Sequence, residues 1–246
     1  MRETLYGRHA VRESLRAGRR QPYRLLIAEG TLDAPIIEEI EELAERRGVR
    51  IQRVSRNEMA MLVGNEDHHG VALEASGYEY ADLDEILALA KSQGEAPLLL
   101  LLDLIQDVHN LGSLLRTAEA VGVHGVIIQG RRAAGVTPAT VHTSAGAVEH
   151  LLVSQVTNLA QTIEELKRAE VWVAGLEDVY GAKPYTEFDL KLPLAIVVGS
   201  EGAGLRRLVR ERCDWLMSLP MRGQINSLNA AVASSIALYE ALRQRQ

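Results

Sequence analysis

Apolar positions along the chain fall alternately into short unbroken runs and helical stripes, and that alternation predicts the element order. Over residues 4–75 the pattern predicts a helix at 7–18 (GRHAVRESLRAG), a strand at 23–28 (YRLLIA), a helix at 34–47, a strand at 49–53, a helix at 56–62 and a closing strand GVALEA at 70–75. Residues 76–96 (SGYEYADLDEILALAKSQGEA) are acidic, near −4 net, and read as a linker holding one short helix between two loops. From residue 97 the texture changes. LLLLLD at 98–103 is a continuous apolar run, as expected of a strand buried on both faces of a parallel sheet. There follow a helix through NLGSLLRTAEAVG, a strand GVIIQG, a helix at 137–147, a strand at 151–155, a helix at 158–169, strands at 171–175 and 194–198, a helix at 203–212, a strand at 215–219 and a helix at 227–243. Strands alternating with helices predict an α/β fold whose parallel sheet is covered on both faces. Such sheets take ligands beyond the carboxyl ends of their strands. The expected organisation is a small α/β block at 1–76, a linker at 77–96 and a parallel-sheet block at 97–246.

Composition changes this picture little. Hydrophobic residues make up 47% and charged residues 24% of 246 positions, as in ordinary soluble domains. Aromatics at 4% argue against a wide stacking platform for single-stranded nucleic acid. The longest apolar run is strand-sized and MRETLYGRHA has no signal-peptide core, so a cytoplasmic protein is expected. One cysteine, Cys213, leaves no internal disulfide and no cysteine-rich metal site. Charge is informative. The net charge is −6, yet residues 1–24 carry Arg2, Arg8, Arg12, Arg16, Arg19, Arg20 and Arg24 against only Glu3 and Glu13. That segment is near +5, either a phosphate-binding face or a solvated helix face.

Three segments, each just after a predicted strand, carry candidate chemistry. In LLDLIQDVHNLGSLLRTAEAVG, Asn110 is placed to cap a helix whose Leu111, Leu114, Leu115 and Ala118 face the core. Arg116 falls off that stripe, either aimed at an anionic substrate or paired with Glu119 on the surface. In LAIVVGSEGAGLRRLVRERC, Gly199, Gly202 and Gly204 spell G-x-x-G-x-G. This is the strand–turn–helix arrangement that lets backbone amides approach a ligand, yet it fits neither the dinucleotide fingerprint nor the P-loop; a purely structural turn is the competing reading. Glu201 within it would repel a pyrophosphate but suits a ribose hydroxyl or an arginine. In LMSLPMRGQINSLNAAVASSIALYEAL, Ser227 is placed to cap a helix opening with Asn229 and small residues, which permit close backbone approach.

Together these segments resemble the three signature motifs of the SpoU (TrmH-like) class of RNA 2′-O-ribose methyltransferases: NLGSLLRTAEAVG the first, VVGSEGAGL the second and LPMRGQINSLNAAVASSIALYEA the third. TSAGAVEH at 143–150 looks like the helix the class carries between the first two. LYGRHAVRESL and HHGVALEA resemble the substrate-binding domain, akin to ribosomal protein L30, that often precedes the catalytic one. This layout is similar to that of RlmB-type 23S rRNA guanosine-2′-O-methyltransferases, with His69 standing where the signature more often has Gln.

The resemblance implies a deep trefoil knot in the C-terminal domain, whose loops hold a bent S-adenosylmethionine, and an RNA substrate without a metal. It further implies Gly199, Leu219 and Leu228 as cofactor contacts with Met221 packing beside them, and Asn110, Arg116, Glu201, Ser227 and Asn229 as the polar residues of the catalytic pocket. It also implies a homodimer, in keeping with a helix from Ser227 to Leu242 too apolar to leave exposed. A nucleotide-dependent oxidoreductase would need G-x-G-x-x-G, which the chain lacks. Within the class, a tRNA guanosine 2′-O-methyltransferase is the alternative.

Overall fold

The computed structural model describes residues 2–246 except Asp33, Glu201, Ile225 and Asn226, and its backbone divides into two compact units: residues 1–79 with 136–150, and residues 80–135 with 151–246. In the first unit the four-stranded sheet runs β1 (Arg2–Tyr6), β4 (Val71–Ser76), β2 (Pro22–Ala28), β3 (Arg50–Val54), with β4 antiparallel to both neighbours and β2 parallel to β3. Register puts Leu73 opposite Leu5 on one side and Leu25 on the other, a buried row across one sheet face. The next row, Tyr6, Ala72 and Leu26, packs with Met59 of α3 (Arg56–Val63). Helices α1 (Arg8–Ala17) and α2 (Pro35–Arg46) complete the unit. Strand β1 was not expected from the pattern. Only Leu5 and Tyr6 of its RETLY are buried, too short an apolar signal to register as a strand.

A helix was expected over 137–147. Instead α6 (Pro138–Thr143) stops early, and a 3₁₀ turn follows at Ala147–His150. Between them Ala145 and Gly146 take left-handed backbone, with φ of 52° and 86°. A Cβ on Gly146 would lie 2.6 Å from Cβ of Glu13 and 3.1 Å from the carbonyl of His9. The chain therefore breaks helix to pass closely over α1, which is why this stretch belongs to the first unit and not to the block in which its position in sequence suggests it lies. Arg20 and Glu149 seal the contact. Their side chains are 2% and 0% exposed, and Arg20 Nε donates to both carboxylate oxygens at 2.9 and 3.0 Å.

In the second unit a seven-stranded sheet has the order β7 (Val153–Val156), β6 (Gly125–Gln129), β5 (Leu98–Asp103), β10 (Leu194–Gly199), β8 (Trp172–Leu176), β11 (Trp215–Ser218), β9 (Lys183–Pro184), and every pairing is parallel. β5 and β10 are buried along their whole lengths, as expected for strands covered on both faces. Leu99, Leu101, Ala195 and Val197 pack with Ile163 and Leu166 of α7 (Leu159–Arg168). From β5 the chain builds outward through β6 and β7, then crosses to the other side, so a crevice opens where β5 and β10 end side by side at Asp103 and Gly199.

Residues 77–96, expected as a linker, are mostly structural. A capping box of Asp82 and Glu85 starts α4 (Leu83–Gln93), and its Ile86 joins the core so tightly that a Cβ on Gly125 would collide with it. The remaining helices are α5 (Val108–Ala120), α8 (Arg207–Arg212) and α9 (Ala230–Arg245). No described helix is long and apolar enough to cross a membrane.

Candidate active site

Three chain segments meet at the carboxyl ends of the parallel strands. The first leaves β5 through Leu104, which sits in left-handed backbone at φ 59°, and enters α5. Asp107, not Asn110, caps this helix, accepting a hydrogen bond from the Asn110 backbone amide at 2.8 Å. The Asn110 side chain is thereby left for another task, and its Oδ1 accepts a 2.8 Å hydrogen bond from Nδ2 of Asn229.

The second segment leaves β10 at Gly199. Here glycine is obligatory, because a Cβ would fall within 2.6 Å of the Leu205 amide and nearer still to the Gly204 carbonyl. Ser200 and Gly204 bridge back on each other, and Gly202 and Gly204 take φ of 79° and 65°. This reversal delays α8 to Arg207, although the apolar pattern starts it at 203. Two carboxylates clamp the turn. Asp103, buried at the end of β5, accepts from the Arg206 amide at 2.8 Å and from Arg206 Nε at 2.7 Å. Glu177, after β8, accepts from the Leu205 amide at 3.0 Å and from both Nε and Nη2 of Arg210 at 2.5 and 2.7 Å. Neither clamp was read from the sequence. The only signal was an acid at the carboxyl end of a predicted strand, which by itself names no partner.

The third segment runs from Ser218 to α9, whose cap is Asn229 and not Ser227: Asn229 Oδ1 accepts from the amides of Ala231 and Val232. Between the second and third segments lies a cleft of about 600 Å³. Gly199, Leu219, Met221, Ser227, Leu228 and Asn229 all line it, so every expected cofactor contact and two of the expected polar residues are brought together. Glu177 and Asp178 add acids to one wall. Asn110 reaches this group through Asn229. Arg116 stands apart from the lining, exposed on α5 and without an ion pair or hydrogen bond to any described residue; the surface pairing with Glu119 is not formed. The register of α5 against α9 is pinned by a 2.8 Å bond between the hydroxyls of Thr117 and Ser235. Glu201 lies outside the described residues. Burial pushes the Cys213 thiol up to about 12, so it carries no nucleophilic chemistry at neutral pH.

Residues 97–239 match the model of the SpoU rRNA methylase family. The chain belongs to that family. Residues 4–81 match a second model, described as the substrate-binding part of RNA 2′-O ribose methyltransferases, so the chain carries both parts of an RNA 2′-O-ribose methyltransferase of the SpoU family. A Bacillus subtilis protein named for the TrmH family of tRNA/rRNA methyltransferases is 44% identical over 239 residues, covering 97% of this chain and 94% of its own. A Staphylococcus saprophyticus relative named for the same family is 43% identical over 241 residues, covering 98% and 95%. Among solved structures, the SpoU methyltransferase AviRb of Streptomyces viridochromogenes, crystallised with AdoMet, superposes with a TM-score of 0.81 at 28% identity over 99% of this chain and 90% of that one.

For this SpoU family member the cleft makes a direct prediction. Gly199→Ala forces the 200–205 turn to move, an overpacking cost of roughly 1–3 kcal/mol. Calorimetric titration with S-adenosylmethionine is expected to show affinity weakened by at least tenfold, while the far-ultraviolet circular dichroism stays that of the parent. Unchanged affinity would mean that the turn is structural only.

Proposed function

We propose that the chain transfers a methyl group from S-adenosylmethionine to the ribose 2′-hydroxyl of a guanosine in 23S ribosomal RNA. The observation that carries the reading is the cleft itself, in which the glycine turn after β10 and the loop before α9 face each other across about 600 Å³. Its lining fits the cofactor: Gly199 gives backbone approach, and Leu219, Met221 and Leu228 offer apolar surface. When bound, S-adenosylmethionine supplies a methyl carbon whose bond to sulfur breaks as its bond to the ribose oxygen forms. The chain's part is to hold the hydroxyl in line and to accommodate its lost proton and developing negative charge. Arg116 takes that charge as an electrostatic stabiliser anchored on the neighbouring phosphate. Its planar, delocalised cation suits that role and not the role of a base. Asn110 and Asn229, already bonded to each other, orient the ribose, with Ser227 beside them and Glu201 positioning Arg116. The cofactor loops belong to a deep trefoil knot. The first unit captures the RNA and the second performs the transfer, in the cytoplasm.

Ribosomal RNA is favoured over tRNA by the first unit, a folded module of its own with a sheet and core separate from those of the catalytic unit. Primer extension across total RNA from a deletion strain tests this, with a lost stop expected at one guanosine of 23S RNA. A lost stop in a tRNA would establish the alternative substrate.

The working form is a homodimer. On α9, Val232, Ile236 and Tyr239 lie at helical spacing and are 48%, 38% and 53% exposed, an apolar stripe suited to a two-fold partner. Light scattering is expected to give a dimer at micromolar concentration and a monomer for Ile236→Glu. A monomeric parent would contradict the assignment.

A further inference from the structure

A second cleft, about 1190 Å³, lies wholly in the first unit, between α1, the starts of α2 and α3, and the turn before β4. That turn is unusual. The Val71 amide donates to the His68 carbonyl at 3.0 Å, and both central residues, His69 and Gly70, have positive φ, 49° and 81°. This is the signature of a type I′ turn, whose first central position ordinarily takes Asn, Asp or Gly. An imidazole is held there instead. Two hydrogen bonds hold the turn's backbone: Gly70 N donates to Nδ1 of buried His68 at 3.0 Å, and Arg8 Nε donates to the His69 carbonyl at 3.1 Å. The exposed His69 ring lies at the end of a stack, its centroid 6.0 Å from His142, which lies 4.7 Å from Tyr6. Left-handed backbone at a bulky residue, over-determined by its surroundings, is the kind of strain that marks a binding site.

The rest of the cleft supplies complementary chemistry. Most of the N-terminal arginines are already neutralised, with Arg12 and Arg16 paired to Glu13 and Glu39, Arg20 to Glu149 and Arg24 to Glu74. Arg56 is different, exposed on the cleft with no ion pair among the described residues, and Arg8 keeps its terminal nitrogens clear of any carboxylate among them. Asn57 presents an amide able both to donate and to accept, and Ile36 and Ala60 give an apolar wall.

We propose that this cleft seats one unstacked nucleotide of the RNA substrate, its base stacked on His69 and read by Asn57, its phosphates held by Arg8 and Arg56. The proposal rests on the RNA methyltransferase reading above and deepens it. Unpaired bases splayed onto a ring and hydrogen-bonded along their edges are the usual route to RNA recognition. One histidine on a stack suffices in a chain that is otherwise poor in aromatics.

The test is steady-state methyl transfer from tritiated S-adenosylmethionine by the full chain, with total RNA of a deletion strain as acceptor. His69→Gly removes the ring yet suits a type I′ turn, so its melting temperature is expected to stay near the parent's. Its KM for RNA is expected to rise about tenfold, as for loss of one stacked base, with kcat held at saturating RNA. His69→Tyr, which restores a ring, is expected to recover most of that loss. Arg8→Ala and Arg56→Ala are each expected to lower the slope of log affinity against log salt by roughly 0.7. A His69→Gly variant with the parent's KM would overturn the proposal. So would a KM rise that merely follows a lost melting temperature and that tyrosine does not rescue. A parent chain that methylates no RNA would instead overturn the underlying reading, and the proposal with it.

Discussion

Arg116→Ala is expected to reduce kcat for methyl transfer by roughly 10²–10³-fold while leaving affinity for S-adenosylmethionine at the parent value. Arg116 is exposed on α5, does not line the cleft and makes no ion pair with a described residue, so its removal breaks no contact that shapes the cofactor site. On the proposed mechanism, a long cation with no ion pair to a described residue is available to an incoming phosphate and to the oxygen that loses a proton. Arg116→Lys keeps the charge but not the planar fork and is expected to recover only part of the rate. Single-turnover transfer and calorimetry, run in parallel, check both halves. Equal loss of rate and cofactor affinity would show that Arg116 supports the fold of the site and not its chemistry.

Arg20→Ala is expected to cost about 3–5 kcal/mol of stability, measured by urea unfolding, because it strands the carboxylate of Glu149 in the interior of the first unit. The cost has a pH signature. Burial raises the Glu149 carboxyl above its ordinary value, and the charge of Arg20 is the largest of the influences that oppose the rise. Without Arg20 the folded state holds the proton still more tightly relative to the unfolded chain. The variant's deficit is then smallest near the ordinary carboxyl pKa and grows as pH rises above it. A deficit independent of pH would place the cost in lost packing of the arginine stem instead. Glu3, which accepts from Arg20 Nη1 at 2.6 Å, adds a second carboxylate to the same loss.

Much of this fold is legible in the sequence because burial writes itself into periodicity. LLLLLD suits a strand covered on both faces, and β5 is buried at all six positions. The departures share one physical cause, which is that long-range contact decides what local pattern leaves open. The helix expected over 137–147 ends at Thr143, and the chain turns through Gly146, where α1 passes too close for a side chain. Residues 77–96 read as a linker by their charge, but Ile86 anchors α4 in the second core. The seven N-terminal arginines read either as a phosphate-binding face or as a solvated helix face, whereas Arg16, Arg20 and Arg24 pair with Glu39, Glu149 and Glu74, which reach them only in the folded chain.

The site divides similarly. The glycine turn reads as a ligand loop from its place after a strand, while Leu219, Met221 and Leu228 were implied by the resemblance to the SpoU motifs, and all of them line one cleft. Asn110 and Ser227 suit helix caps by residue type alone, yet Asp107 and Asn229 hold those positions. Cap choice depends on where the chain turns, to within a residue or two, and sequence pattern does not resolve that. The clamps made by Asp103 and Glu177 join residues far apart in the chain and had no local signature.

The most direct measurement is product identity. Purified protein, total RNA from a deletion strain and S-adenosylmethionine labelled in its methyl group should yield, after complete nuclease digestion, label in 2′-O-methylguanosine alone, resistant to alkaline cleavage on its 3′ side. Label on a base, or no label in RNA beside a demonstrably bound cofactor, would contradict ribose methylation as the work of this cleft.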